Sequence, residues 1–358
     1  MLTLDTTNAV YIAMRFLAVS ALALIPGASL CAQSRAVPPA VQRGLETITA
    51  ADVRRRIEII AHDSMGGRDT PSRGLELTAA YIAAEFARFG LRPAGDSGTF
   101  IQRYPLPGGP PDARSGARPA RTAPNVVGFL EGSDPNLKRE YIVLSAHMDH
   151  VGIGAPVNGD SIYNGADDDA SGTVAVVELA EALSRPGARP KRSVIFLTVS
   201  GEEHGLWGSA WLSEHAPVPV ADIVANLNID MVGRNWKDTI VVIGKEHSDL
   251  GTTVERVSRA HPELGMRPID DIWPEENFYF RSDHYNFARK GVPVLFFFNG
   301  THPDYHGPDD EPARIDAEKE ARIVRLVYFL THEVGNTAER PKWNPASYRR
   351  IVRPATRD

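Results

Sequence analysis

The sequence predicts a single α/β domain with a mixed central β-sheet and helices on both of its faces. After residue 124, short apolar runs of strand length alternate with stretches in which apolar residues recur at helical spacing. A chain of 358 residues is long enough for one large domain or two smaller ones. Residues 106–124 form a loop rich in proline, glycine and arginine that is too short to hold an inserted domain. The pattern therefore favours one domain.

The helices are predicted from apolar residues at helical spacing. Two of them begin the domain, and Gly90 is a suitable residue to end the second. Asp316 has the position and side chain of an N-cap for the final long helix. The predicted helices span residues 51–60, 75–89, 173–183, 206–215, 252–260 and 317–334.

The strands are predicted from short apolar runs bounded by turn residues. They span residues 141–146, 193–199, 223–229, 239–243 and 292–298. We assign the domain to residues 44–338. Residues 339–358 are basic and contain proline, and we expect them to form a loose tail.

The charge balance and the cysteine count exclude several classes of protein. The chain has 39 basic and 45 acidic residues, and no basic stripe that would predict binding to nucleic acid. Its one cysteine, Cys31, permits no intrachain disulfide and no cysteine-rich zinc site.

An apolar run at residues 16–25 has the length of a signal-peptide core and is too short to cross a bilayer. Arg15 precedes the run and small residues follow it, so we predict a signal peptide at residues 1–32, with Met14 as an alternative start. No later segment is long and apolar enough for a transmembrane helix. The sequence therefore predicts an exported protein, periplasmic or extracellular. The alternative is a buried N-terminal helix.

Acidic residues and histidines follow four of the predicted strands, where ligands bind in α/β sheets. A fifth acidic segment, at 165–172, has three consecutive aspartates, which repel one another unless a cation lies among them. Imidazole and carboxylate groups without cysteine are the ligands of hydrolytic zinc sites. The segments after the strands are 147–150, 200–205, residue 230 and 301–306.

These motifs, in this order, resemble those of the co-catalytic di-zinc exopeptidases, a family that includes bacterial leucyl aminopeptidases, aminopeptidase Y and glutamate carboxypeptidase II. The similarity covers about residues 68–331. The motifs that carry it are His147-Met148-Asp149, Gly-Ala-Asp-Asp-Asp-Ala-Ser-Gly at 165–172, Glu202-Glu203, Asn228-Ile229-Asp230-Met231, Arg281-Ser282-Asp283-His284 and Tyr305-His306.

The resemblance implies two Zn²⁺ ions bridged by Asp168. It implies that His147 and Asp230 complete one metal site, and that Glu203 and His306 complete the other. It also implies a cis peptide bond after Asp168 and a general base that is not a ligand, Glu202.

The residues themselves support these roles. A carboxylate at Glu202 can take a proton from water and pass it to the leaving amine. Asp149 lies two residues from His147 on a strand, so it can orient that imidazole. Tyr305 is a candidate donor to the developing oxyanion.

Other polar residues near these motifs have weaker interpretations. Tyr279 is a second candidate oxyanion donor, and Asp310 a possible orienting partner of His306. Arg281 either faces a substrate carboxylate or forms a salt bridge. The remaining polar residues are interpreted as loop supports, pocket polar groups or structural histidines. They are Asp167, Asp169, His150, His204, His284 and His302.

We predict a secreted zinc metallopeptidase that acts on peptides, most simply an aminopeptidase. A glutamate carboxypeptidase is the first alternative and would need a basic pocket, for which Arg281 and Arg234 are the candidates. An acyltransferase of the glutaminyl-cyclase type would need one zinc ion, whereas ligands for two are present here. A binding module that has lost catalysis should also have lost metal ligands, whereas all five predicted ligands are present here.

Overall fold

The computed structural model describes residues 37–107 and 121–352. The predicted signal peptide lies outside the described residues, as does most of the proline-rich loop. The helices of the described part are α1 (Pro39–Leu45), α2 (Ala50–Ile60), α3 (Arg73–Arg88), α4 (Gly172–Ser184), α5 (Trp207–Glu214), α6 (Leu250–Ala260), α7 (His284–Ala288), α8 (Ala317–Asn336) and α9 (Pro345–Ile351).

Nine of the strands in the described residues form one sheet in the order β1-β3-β7-β4-β8-β11-β9-β10, with β2 paired to β3, while β5 and β6 form a separate hairpin. The strands are β1 (Arg92–Pro93), β2 (Ile101–Pro105), β3 (Thr122–Leu130), β4 (Tyr141–His147), β5 (Gly152–Val157), β6 (Asp160–Tyr163), β7 (Ser193–Val199), β8 (Ile223–Ile229), β9 (Thr239–Ile243), β10 (Arg267–Ile269) and β11 (Val294–Phe297).

The four central strands, β7, β4, β8 and β11, run parallel to one another. The strands β3 and β9 pair antiparallel to β7 and β11, so the sheet is mixed as predicted. Every residue of β7 and β8 is buried, which is typical of strands covered on both faces. This arrangement brings the carboxyl ends of four neighbouring strands to one edge.

Helices cover both faces of the sheet. The apolar residues of α2, α3, α4, α6 and α8 share one buried cluster, in which Leu179 and Leu330 are fully buried. The residues of α5, α7 and α9 belong to a second cluster, which includes Leu212, Phe287 and Ile351. The predicted layering of helix, sheet and helix is therefore observed.

Most predicted elements have the expected positions. The strands β7, β8 and β9 begin and end at the predicted residues, and Asp316 accepts a hydrogen bond from the Lys319 amide as the N-cap of α8. No helix of the described segments combines the length and the apolarity that a membrane crossing needs.

The expectation of a loose tail is not met in residues 339–352. Within this segment α9 packs on the domain through Ile351, which is 3% exposed. The Trp343 indole donates a hydrogen bond of 2.9 Å to the Gly291 carbonyl. The segment is ordered because Trp343 and Ile351, although they lie among basic residues, each bury apolar surface against the domain.

A buried ion cluster joins α2 to α3 and α4. The Arg56 guanidinium is fully buried and bonds Glu178 and Glu181, with Glu85 3.3 Å away. Removing one partner of such a cluster leaves uncompensated buried charge. We therefore expect Arg56→Met to lower the free energy of unfolding by about 3–5 kcal/mol, measured by urea unfolding in the presence of a chelator.

The matched control is the neighbouring residue on the same helix. Arg55 forms an exposed ion pair with Asp52 at 3.0 Å. Exposed pairs contribute little, so Arg55→Met should cost less than about 1 kcal/mol. Equal costs for the two substitutions would contradict a stabilising role for the buried cluster.

Candidate metal centre and active site

The parallel strands deliver five predicted site residues to one edge of the sheet. His147 is the last residue of β4, and Asp230 directly follows β8. Glu202 and Glu203 follow β7, and His306 lies in the loop after β11. These strands are neighbours in the sheet, so side chains that are up to 159 positions apart in the sequence converge.

Asp168 lies between the two groups of predicted ligands. Its Oδ1 atom is 3.2 Å from Nε2 of His147, and its Oδ2 atom is 3.0 Å from Nε2 of His306. The peptide bond that joins Asp168 to Asp169 is cis, as the resemblance implied. One carboxylate thus faces both groups with different oxygens.

The first group contains His147, Asp168 and Asp230. Nε2 of His147 is 3.5 Å from Oδ1 of Asp230, and the Ser282 hydroxyl donates to Oδ2 of Asp230 at 2.9 Å. All three predicted ligands are buried. Asp169 also borders this group, but its two oxygens accept hydrogen bonds from the backbone amides of residues 147, 172 and 231.

The second group contains Asp168, Glu203 and His306, together with His150. Nε2 of His306 lies 3.0 Å from Oε2 of Glu203, and Nδ1 of His150 lies 2.9 Å from Oε1 of the same carboxylate. The His306 side chain is 37% exposed, whereas that of His150 is fully buried. The structure thus brings together all five predicted metal ligands and adds one histidine.

The electrostatics of the centre show an excess of negative charge. Burial raises the pKa of Glu202 well above its usual value, and the carboxylates of Asp283 and Asp230 add to this. Burial opposes protonation of His147, but Asp230 and Asp169 raise the pKa of its imidazole well above the usual value. Carboxylates at this spacing require a cation among them to stay ionised together.

The donor set fits zinc. Imidazole nitrogens and carboxylate oxygens meet here, with no thiolate in the part of the chain that is described. Zinc accepts these ligands in hydrolytic sites. The two groups therefore have the composition of a zinc centre.

Asp149 connects the histidine ligand to the loop that carries Glu202. Its carboxylate accepts hydrogen bonds from the amides of Gly201 at 2.7 Å and Glu202 at 3.3 Å. Its Oδ1 is 3.7 Å from Nδ1 of His147, which is nearer to the Asp149 carbonyl at 3.2 Å. Asp149 is predicted to orient His147. It thus holds the backbone of Glu202 as directly as it holds the His147 imidazole.

Thr70 supports Asp149 from outside the segments that carry the metal motifs. Its hydroxyl donates to Oδ2 of Asp149 and accepts from the Gly201 amide, both at 3.0 Å. We expect Thr70→Val to lower the free energy of unfolding of the zinc-free protein by about 1–3 kcal/mol, because these buried partners lose the hydroxyl. Thr70→Ser keeps the hydroxyl and is the control. Equal stability of the two variants in urea would contradict this role.

Arg68 fixes the two loops on either side of the centre. Its buried guanidinium donates to the carbonyls of Ile60 at 3.1 Å, Met148 at 2.9 Å, Asn164 at 2.6 Å and Gly165 at 2.8 Å. Backbone carbonyls satisfy the donors of this buried cation, as burial requires. The guanidinium therefore ties the His147 loop to the aspartate loop.

A pocket opens over the two groups. It encloses about 380 Å³ of space outside the protein atoms, part of it open to solvent. The adjoining rings of Phe278, Phe296 and Phe298 form an apolar wall, and the lining also includes Glu202 and Tyr305. The Tyr305 ring stacks on His306 with centroids 3.9 Å apart. A substrate in this pocket would contact both metal groups.

Several predicted neighbours have other positions. Tyr279 is buried against His247 and is not among the residues that line the pocket. Asp310 accepts from the amides of Asp167 and Asp168 at 3.0–3.1 Å, so it supports the aspartate loop rather than His306. The remaining histidines pair or pack elsewhere: His204 with Asp69, His284 on Phe296, and His302 beside Asp167.

Sequence reasoning missed two residues that support the centre, Arg68 and Thr70, and gave no role at the centre to a buried carboxyl near it, Asp283. Burial, together with Asp149 and Asp230, raises the pKa of Asp283 to about 7, although His147 opposes this. The sequence signal for Asp283 is its place in the motif at 281–284. Arg68 and Thr70 carry no pattern of their own.

Comparison with known proteins gives a family match over the central part of the chain. The sequence profile of peptidase family M28 matches residues 125–331. A probable zinc metalloprotease of Pyrenophora teres f. teres is 29% identical over 277 residues, which cover 68% of this chain and 55% of the relative. A probable leucine aminopeptidase of Arthroderma benhamiae is 27% identical over 252 residues, which cover 62% of this chain and 68% of the relative. The chain spans about half the length of several curated relatives that it matches.

Solved structures share the fold. An aminopeptidase from Aneurinibacillus sp. strain AM-1 aligns with a TM-score of 0.64 and 15% sequence identity, over 84% of this chain and 97% of that chain. A likeness at this identity concerns the fold, and it confirms the predicted fold class.

Proposed function

Because this chain belongs to peptidase family M28, we propose that it is a zinc-dependent aminopeptidase that releases N-terminal residues from peptides. The observation that carries the proposal is the position of Asp168, whose two oxygens face a histidine in each of two groups. Glu202 lies beside these groups in the same pocket. Two metal ions and a neighbouring proton acceptor can together activate water and polarise a peptide carbonyl.

We propose that two Zn²⁺ ions bind here. One would be held by His147, Asp168 and Asp230, and the other by Asp168, Glu203 and His306. Asp168 would belong to both sites. Relatives and structural neighbours include a probable zinc metalloprotease and a zinc aminopeptidase, which supports the choice of metal.

The catalytic chemistry combines the metal ions with a base. When bound, zinc makes a water molecule acidic near neutral pH and stabilises negative charge on the substrate carbonyl. Glu202 takes the proton of the attacking water on a carboxylate oxygen and transfers it to the nitrogen of the leaving amine. The Tyr305 hydroxyl, in the same pocket, donates to the developing oxyanion. Burial, with the carboxylates around it, raises the pKa of Tyr305, so the phenol keeps its proton.

The pocket favours the N-terminal end of a peptide. Its lining includes the carboxylates of Glu202, Glu203 and Asp230, which attract a protonated α-amine. Its apolar wall accepts a hydrophobic side chain on the first residue. We therefore propose a preference for apolar N-terminal residues.

The carboxypeptidase alternative has less support, because among the described residues that line the pocket Arg281 is the one arginine or lysine. Arg234 pairs with Asp304 at 2.8 Å, and Arg281 lies over the Phe278 ring with its guanidinium carbon 4.8 Å from the centroid. Arg234 is not among the residues that line the pocket, and the guanidinium of Arg281 lies 3.5 Å from the carboxylate of Glu276. The cyclase alternative needs one zinc ion, whereas here both groups are complete.

We also propose that the protein is exported. The proposal rests on the apolar run at residues 16–25 and on Arg15 before it. Edman sequencing of the protein recovered outside the cytoplasm should start near Gln33. Recovery of the full chain in the cytoplasm would contradict export.

The experiment that tests the aminopeptidase proposal uses one peptide in two forms, with a free and with an acetylated N-terminus. The zinc-loaded protein should release the first amino acid from the free form and nothing from the acetylated form, because acetylation removes the positive charge. Release from the C-terminus of the acetylated form would instead establish a carboxypeptidase.

A further inference from the structure

His150 occupies a fixed position beside the second metal group. The side chain is fully buried, and its ring packs so closely on Gly165 that a Cβ there would lie 2.4 Å from the ring carbon Cγ. Nδ1 of His150 is 2.9 Å from Oε1 of Glu203 and 3.6 Å from Oδ2 of Asp168. The nitrogen therefore makes a hydrogen bond with Glu203 and lies near the Asp168 carboxylate as well.

His306 approaches the same two carboxylates from the other side. Its Nε2 is 3.0 Å from Oδ2 of Asp168 and 3.0 Å from Oε2 of Glu203. One donor atom from each of the four side chains lies within 4.8 Å of all the others. Two imidazoles thus converge on one pair of carboxylates.

The spacing of these atoms matches a tetrahedral site. Zinc bonds of about 2.0–2.1 Å to nitrogen and oxygen give ligand atoms about 3.3 Å apart in a tetrahedron. The four measured distances between imidazole nitrogens and carboxylate oxygens, 2.9, 3.0, 3.0 and 3.6 Å, lie on both sides of that value. A single cation at the centre would be in reach of all four side chains.

We propose that His150 is a fourth protein ligand of the metal ion that Asp168, Glu203 and His306 hold. The proposal rests on the two-metal site proposed above. Four protein ligands close the coordination of zinc, as in structural sites, whereas three leave a position open. The ion beside His147 would then be the open one, and the ion beside His150 the more tightly held.

The test places a thiolate where the imidazole lies. Nδ1 is separated from Cβ by one atom, and a longer metal–sulfur bond of about 2.3 Å lets a cysteine Sγ reach nearly as far. His150→Cys in the full chain, loaded with Co²⁺, should bind two ions and show a thiolate-to-cobalt charge-transfer band. The native chain has only Cys31, so the unsubstituted protein provides the background spectrum.

Two variants complete the experiment. His204→Cys is the matched control and should give no band, because His204 pairs with Asp69 outside the group. His150→Gln keeps a hydrogen-bond donor for Glu203 but loses the imidazole ligand. It should lower the affinity for one of the two Co²⁺ ions by more than about 100-fold, which exceeds the usual effect of losing a partner that only orients a ligand.

The outcomes separate this inference from the proposed function. Two cobalt ions in His150→Cys without the band would overturn the inference. If His150→Cys binds only one cobalt ion, the Co²⁺ affinity of His150→Gln is the deciding measurement. A decrease in that affinity smaller than about 100-fold would overturn the inference. An unsubstituted protein that binds fewer than two cobalt ions would overturn the two-metal site itself.

Discussion

Replacing Glu202 by glutamine is expected to lower kcat by about 10²–10⁴ while two zinc ions stay bound. Glutamine keeps the shape of the side chain but cannot accept a proton from water. Glu202 has no ligand role in the proposed site, because Asp168, Glu203 and Asp230 provide the carboxylates. The loss should therefore fall on the chemical step and leave KM nearly unchanged.

The measurement is steady-state hydrolysis of an unblocked peptide, with zinc content determined on the same samples. Glu58→Gln is the control, since Glu58 is an exposed glutamate of α2. It should match the unsubstituted protein in both readings. Near-normal turnover in Glu202→Gln, or loss of zinc from it, would remove Glu202 as the general base.

The central part of the fold could be predicted because its strands are buried on both faces. β7 and β8 are mostly apolar, with Ser193 and Thr198 in β7 and Asn226 and Asn228 in β8 as their polar residues, because neither face meets water. Their ends fall at the predicted residues. The predicted α/β class and the family are confirmed, and the zinc-dependent peptidase chemistry is proposed from them. The predicted roles of individual site residues stay predictions.

The peripheral strands could not be predicted in the same way. β3 begins with Thr122, inside the segment interpreted as a loop. Its start could not be predicted because Pro124 and Asn125 interrupt the apolar pattern of the strand. β10 has three residues, and most of β5 is exposed, so neither shows a pattern that a sequence can reveal. Their pairing depends on neighbours that are distant in the chain.

The same distinction applies to the site. Residues that directly follow parallel strands meet at one edge, so His147, Glu203 and Asp230 could be placed together from their positions alone. Arg68 and Thr70 reach the centre from another part of the chain, through hydrogen bonds to backbone groups. Contacts of this kind leave no spacing or periodicity in the sequence.

Because Asp168 lies between the two groups, its substitution is expected to cause a larger loss of metal than substitution of any other proposed ligand. Its oxygens contact both groups, whereas Asp230 lies in the first group only. Asp168→Asn removes a negative charge from both, so we expect both zinc ions to bind weakly, with loss of activity and of most of the zinc-dependent rise in melting temperature. That rise reflects a binding free energy of about 4 kcal/mol for an ion at 1,000 times its Kd.

Asp230→Asn is the matched comparison for Asp168→Asn, because it makes the same chemical change at one group. Equilibrium dialysis against zinc should leave about one ion bound to Asp230→Asn and fewer to Asp168→Asn. The melting temperatures of the zinc-free proteins serve as the control for folding, and they should agree more closely than those of the zinc-loaded proteins. A carboxylate shared by two ions cannot be replaced without weakening the binding of both. If Asp168→Asn kept as much zinc as Asp230→Asn, we would conclude that Asp168 binds one ion only.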